Sequence, residues 1–353
     1  MYDIFSLNVK YQNYIFQISF VTLSVFETNV LSSRAPPHRS SLNTGHTDCA
    51  VSSIKQGGGK LKQKKQCGRR IERLFSDLCI LPGFIGIMIF FIVPFIIVIY
   101  YSLINNPIAG EFVGADNYIK LLHNAAFLEA AKNTSLFSLT AVPLAVILSM
   151  GLAMLLEKNI PCKSLFRTFF LSPLMVPSAS VVLVWQVLFH YHGTVNQIIE
   201  AMGGNGTDWL NSGKGQIVIV LMFLWKNLGY NMILFMSALC SIPKDIVEVA
   251  ELEGAGRTWK FLHIKLRYLA PTIVFVMILS LINSFKIFRE VYLLTGEHPL
   301  AKLYMLQHFM NNTFNSFDYQ KLSAAAVIFS IVMIAVIALL LTAEHIFGKD
   351  VES

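Results

Sequence analysis

Residues 243–271 read PKDIVEVAELEGAGRTWKFLHIKLRYLAP. This polar, charged stretch has two glycines at its centre and lies between two of the most apolar runs in the chain. Its polarity requires water, whereas its flanks are long and greasy enough to require lipid. That contrast makes the segment a connection between two membrane spans.

The remaining sequence agrees. Of 353 residues, 54% are hydrophobic and 14% are charged, whereas soluble domains carry about a quarter charged residues. A span needs about 20 apolar residues. Six stretches meet that length: Leu78–Leu103, Thr134–Leu156, Thr168–Phe189, Gln216–Cys240, Leu269–Phe288 and Leu322–Ala343. None contains a carboxylate, and Pro94, Pro143, Pro173 and Pro177 are expected to kink the helices that hold them. The expected fold is therefore all-α and polytopic, with six transmembrane helices.

Basic residues set the topology. Lys60–Arg73 (KLKQKKQCGRRIER) precedes the first span; Lys158, Lys163 and Arg167 follow the second; Lys244, Arg257, Lys260, Lys265 and Arg267 follow the fourth. The alternate connections are less basic, so the positive-inside rule puts both termini and residues 243–271 in the cytoplasm. The net charge of +7 is thereby assigned to the membrane face, not to nucleic acid. Residues 1–74 are expected to be a disordered basic extension without assigned function, 75–347 the transmembrane domain and 348–353 a short tail. The apolar part of the extension, Ile15–Phe26, is too short to span.

Several chemistries find no support. GGGK at Gly57–Lys60 lacks the first half of a phosphate-binding loop, and no Ser/His/Asp set or HExxH occurs. The five cysteines show no metal or disulfide spacing. Spans without carboxylates disfavour a proton-coupled carrier working alone. No catalytic role, cofactor or metal is expected, and energy is expected from another protein.

Within the quoted segment, Ser241 is expected to cap a helix whose first turn carries Pro243, Asp245 and Glu248. Ile246, Val249, Ala250 and Glu253 recur at helical spacing, and Gly254 and Gly256 are expected to turn the chain. Thr258 is expected to start a second short helix carrying Phe261, Leu262 and Ile264 on one side. Spacing alone leaves two readings open: a protruding knob, or an amphipathic loop on lipid headgroups.

The residues EVAELEGAG, followed by Phe261, Ile264 and Pro271, resemble the EAA loop of ABC importer permeases. Val249 and Arg267 depart from that motif. The resemblance extends over roughly residues 75–347 to the carbohydrate-uptake, maltose-type branch, through Pro173, Pro177, Trp185, Gly193 and Asn196, then Asp208–Leu210. Asn283–Pro299 (NSFKIFREVYLLTGEHP) resembles the segment that marks the first of two permeases, with Arg289, Glu297 and His298 as departures.

The resemblance implies a bacterial plasma-membrane permease subunit that passes a sugar or oligosaccharide. Its implied partners are a second permease, two ATP-binding subunits that hydrolyse ATP, and an extracellular solute-binding protein. Glu248, Ala250, Gly254, Ala255, Phe261 and Ile264 are the implied ATPase-coupling residues. Trp225, Asn227, Tyr230, Asn283 and Ser284 fall where such permeases place sugar contacts. Helix-to-helix bonding is an equal reading for asparagines in a span, and Lys226 and Lys286 are read as snorkelling. A permease for a non-sugar solute and an ion-coupled carrier are the competing readings.

Overall fold

The computed structural model describes residues 81–106, 110–157, 162–297 and 299–348. The expectations for residues 1–74, for Leu78–Ile80 and for most of the tail therefore lie outside the described residues. The chain divides into two units, residues 1–101 and 102–353.

The first unit holds α1 (Leu81–Ser102) up to Tyr101, and this helix matches the first expected span. It contains a wide π turn at Met88–Ile92, closed by the Val93 amide donating to the Met88 carbonyl. Pro94 follows directly. It has no N–H and its ring crowds the preceding turn, so the helix widens there and remains continuous.

The second unit opens with the short helix α2 (Asp116–Leu122). Asn117 on it donates to the carbonyls of Ser102 and Ile104, both at 2.9 Å. Four long elements follow: α3 (Ala125–Glu157), α7 (Gly215–Cys240), α9 (Arg257–Thr295) and α11 (Tyr319–Gly348). Between them lie α4 (Lys163–Met175), α5 (Ser178–Phe189), α6 (Thr194–Ala201), α8 (Lys244–Leu252) and α10 (Leu306–Asn315). Among the described residues the secondary structure is helical apart from one isolated bridge, Ile104 with Phe112.

Small residues let the long helices pack closely. Ala141, Ala145, Ser149 and Ala153 recur every four residues on α3, and all are fully buried. This is the small-residue spacing that brings membrane helices together without a hydrophobic drive from water. Below them, Leu156, Phe235, Leu239, Ala250, Ile264 and Leu269 share one apolar cluster. A second cluster joins Phe137 on α3, Phe223 on α7 and Val291 on α9.

The third expected span is not one helix. α4 ends at Met175, α5 begins at Ser178, and the pieces Lys163–Met175 and Ser178–Ala201 are bent by 102°. Val176 is extended, with φ −85° and ψ 130°. The Pro177 ring disfavours the helical conformation for the residue before it, and here Val176 adopts the extended alternative, so the helix breaks instead of kinking.

The fifth span is longer than expected. α9 starts at Arg257 and passes through a π turn at Phe261–Lys265. The expected second short helix is therefore the beginning of the span itself. At its far end α9 runs to Thr295 and takes in Glu290, which corrects the reading of carboxylate-free spans.

Candidate functional site

α8 is the helix expected around Glu248. Its N-cap is Pro243, with no side-chain cap. Ser241, expected to cap it, instead donates to the Ala238 carbonyl at the end of α7, at 2.7 Å. The short Ser241–Pro243 connection keeps its hydroxyl with the preceding helix.

Gly254 does what the sequence suggests. With φ +80° it takes the left-handed conformation. The Ala255 amide donates to Ala250 (2.9 Å) and the Gly254 amide to Glu251 (3.1 Å), which is the paired closure of a glycine-terminated helix. Gly256 has φ −66° and ψ 161°, ordinary extended backbone, so one glycine makes the turn. Glu251 and Lys260 form an ion pair across it. Lys260 holds the Glu251 carboxyl below its ordinary range by hydrogen bond and charge.

The coupling candidates fall on two faces. Ala250 and Ile264 are buried against Leu156, Leu239 and Ile242, with Ala255 packed at the edge. Phe261 is half-buried and Glu248 exposed. Ile246, Val249 and Leu252 are also exposed on α8, as are Trp259 and Leu262 on the start of α9. The apolar strip inferred from spacing therefore has its centre facing outward and only its edge, Ala250, in the core. Lys265 fixes the base of this structure by bonding both oxygens of Glu157 at the end of α3, at 2.8 and 2.6 Å.

The pathway candidates lie along a polar seam between α7 and α9. Asn283 donates to Asn227 at 2.9 Å, and Asn231 donates to Ser280 at 2.9 Å. Trp225 and Tyr230 flank the seam, 39% and 38% exposed. Ser284 faces elsewhere. It is buried against α3, with its hydroxyl 2.9 Å from that of Ser138, in a helix-to-helix contact.

Sequence reasoning missed the charged end of the seam. Lys226 bonds Glu290 at 2.5 Å and Ser178 at 3.1 Å, and Ser178 donates to Glu290 at 2.8 Å. Glu290 is 5% exposed. Lys226 is thus held by a carboxylate and does not snorkel. The signal was available: a lysine within a span calls for a counter-charge, and Glu290 is seven residues, two helical turns, beyond Asn283.

Trp185, carried by α5, was matched in sequence but not assigned as a site. Its ring stacks on Phe189 at 5.2 Å and meets Trp225 edge-on at 6.2 Å. Phe189 in turn contacts Trp209 at 5.8 Å. Asn196 holds the loop carrying Trp209. It donates to the carbonyls of Tyr191 and Thr207 and accepts from the Thr207 amide and the Trp209 indole. Among the described residues no cluster of histidine, cysteine or carboxylate side chains has the arrangement of a metal site.

Residues 141–352 match the family described as binding-protein-dependent transport system inner membrane component. The chain belongs to this family. It is a multi-pass membrane component of such a transport system, and transport, not catalysis, is the family's work. It is 29% identical over 264 residues to the sulfoquinovosyl glycerol transport system permease protein SmoG of Agrobacterium fabrum, covering 73% of this chain and 86% of that one. It is 27% identical over 263 residues to the sn-glycerol-3-phosphate transport system permease protein UgpA of Yersinia enterocolitica, covering 73% and 89%. Its fold resembles a chain of the bacterial alginate ABC transporter solved with an alginate pentasaccharide-bound periplasmic protein. The TM-score there is 0.68 at 20% identity, over 80% of this chain and 96% of that one. This binding-protein-dependent permease thus shares its family with transporters of glycerol derivatives and its fold with a polysaccharide importer.

Proposed function

We propose that the chain is the permease subunit of an ATP-driven importer, passing a sugar or a sugar-like glycerol derivative delivered by an extracellular binding protein. Its relatives' named solutes, sulfoquinovosyl glycerol and sn-glycerol-3-phosphate, motivate that class. A second permease and two ATP-binding subunits complete the assembly, with both termini and α8 in the cytoplasm. The observation that carries the coupling role is the exposed apolar face of α8, Ile246, Val249 and Leu252, beside Glu248. Ala250 and Ile264 anchor the helix to the spans from the other side. A rigid knob with an apolar crown and a charged rim suits docking in a groove of an ATP-binding subunit, and ATP-driven closure there moves the spans as bodies.

Trp225, Asn227, Tyr230 and Asn283 line the solute path in this reading: aromatic faces for stacking, amides for hydroxyls. With Lys226 paired to Glu290, this aromatic wall carries no net charge and suits neutral, hydroxyl-rich solutes. The test is co-purification of the ATP-binding subunits with Leu252→Glu and Val249→Glu, together with uptake of sn-glycerol-3-phosphate and maltose. Loss of association with intact folding is expected. Normal association in both variants would remove the docking role of α8.

A further inference from the structure

We infer that Ser178, Lys226 and Glu290 form a positioning cluster for this permease, fixing the second half of the broken span and with it the contact between Trp185 and Trp225. The break supplies the need. At Val176–Pro177 the helical run is interrupted, and the piece Ser178–Ala201 that α5 begins is bent by 102° from α4, so side chains must set the direction of α5. Two kinds of contact hold it. Val181 and Val182 share an apolar cluster with Met222 and Leu294, and such contacts are non-directional. The closest directional contact is at the first residue of α5, where the Ser178 hydroxyl accepts from Lys226 and donates to Glu290; towards the other end the Gln186 amide reaches the Leu293 and Leu294 carbonyls only at 3.4 Å.

Bonds to charged groups are shorter and stronger than neutral ones, and this trio joins α5, α7 and α9 at one point. Replacing a buried ion pair by apolar residues is often neutral for stability, so the trio is read as setting geometry. Trp185 lies seven residues, two helical turns, beyond Ser178 and therefore on the same face. Trp225 precedes Lys226 on α7. Adjacent residues of α7 thus engage both ends of one face of α5: Lys226 holds Ser178, and Trp225 meets Trp185 at 6.2 Å.

For solute handling this inference rests on the proposed placement of Trp225 along the path. A measurement made without solute separates the two. The full chain, with its four tryptophans replaced by 5-fluorotryptophan, is assembled with unlabelled partner subunits in nanodiscs and read by fluorine NMR. Lys226→Met and Glu290→Gln are each expected to shift the Trp185 resonance and leave that of Trp259 in place. The swap of Lys226→Glu with Glu290→Lys is expected to return Trp185 towards its original position. Should the single variants fail to assemble, Ser178→Ala decides, because it removes one hydroxyl and no charge; it is expected to shift Trp185, with its contact partner Trp225, and to leave Trp259 in place. An unmoved Trp185 in Glu290→Gln, or in Ser178→Ala, overturns the positioning role whatever Trp225 contacts. Full transport activity in Trp225→Ala would count against the pathway reading only.

Discussion

Gly229 on α7 faces the carbonyl oxygen of Phe170 on α4 so closely that a Cβ would lie 1.9 Å from it, and 2.5 Å from the carbonyl carbon. Both atoms belong to the backbone, so no rotamer change relieves the clash. α4 is held against α7 at backbone contact, while α5, beyond the break, meets its neighbours through side chains, Ser178, Val181 and Val182 among them.

Gly229→Ala is therefore expected to push α4 from α7. Overpacking costs about 1–3 kcal/mol where side chains yield, and this site belongs at or above the upper end. Gly151, where a Cβ meets nothing within 4 Å, is the control. Thermal unfolding in detergent should show a large loss for Gly229→Ala and almost none for Gly151→Ala.

The two glycines after α8 should behave differently. Gly254 has φ +80°, a conformation that costs L-residues about 1–2 kcal/mol, whereas Gly256 does not. Neither would place a Cβ near another atom, so the difference isolates backbone strain. Gly254→Ala should lower stability by about 1 kcal/mol and weaken coupling of ATP hydrolysis to transport. Gly256→Ala should be close to wild type in both measurements.

The Asn227–Asn283 bond should appear as a coupling energy. Asn283→Leu removes the donor to the Asn227 amide oxygen, and an orphaned buried group costs about 1–3 kcal/mol. Interhelical bonds of this kind in membranes average about 0.6 kcal/mol. A double-mutant cycle with Asn227→Leu should therefore return a favourable coupling of that order. Additive effects would mean that the amides act independently.

His308 on α10 should make the permease acid-sensitive. It is fully buried, with Phe288 at 4.7 Å and Tyr304 at 5.9 Å between ring centres. Desolvation lowers its pKa from 6.5 to about 4. Above pH 6.5 both folded and unfolded chains hold it neutral, and no penalty arises. Between pH 6.5 and 4 the unfolded chain takes up a proton that the folded chain refuses, so stability falls on acidification. The full difference is about 3 kcal/mol at one unit per 1.4 kcal/mol. His308→Gln should flatten this part of the unfolding profile, and an unchanged slope would remove His308 as its source.

The sequence was legible where one segment carries its own signal. Five apolar runs became helices, three of them close to the expected bounds and two, Ala125–Glu157 and Arg257–Thr295, extended beyond them, because length and hydropathy alone satisfy the backbone in lipid. Gly254 was identifiable as the turn because the left-handed conformation favours glycine. Asn227 and Asn283 were singled out by the resemblance to sugar-contact positions, and they meet. Other readings failed where a neighbour decides. Pro173 lies inside a continuous helix whereas Pro177 ends one. Ser241 was read as a cap without the knowledge that the Ala238 carbonyl lay within reach of its hydroxyl. Ser284 shares the sequence context of Asn283 and yet turns to Ser138.

By itself, the sequence determined that this chain crosses a membrane several times and that a charged, glycine-broken segment separates its fourth and fifth spans. Those are properties of hydropathy and charge, read locally. Tertiary structure alone decided that Lys226 is neutralised by Glu290, 64 residues away, that Gly229 is a contact point, and that Trp185 meets Trp225. The reason is physical: lipid selects each span by its own composition, but the burial of a charge or the approach of two backbones depends on which helices become neighbours.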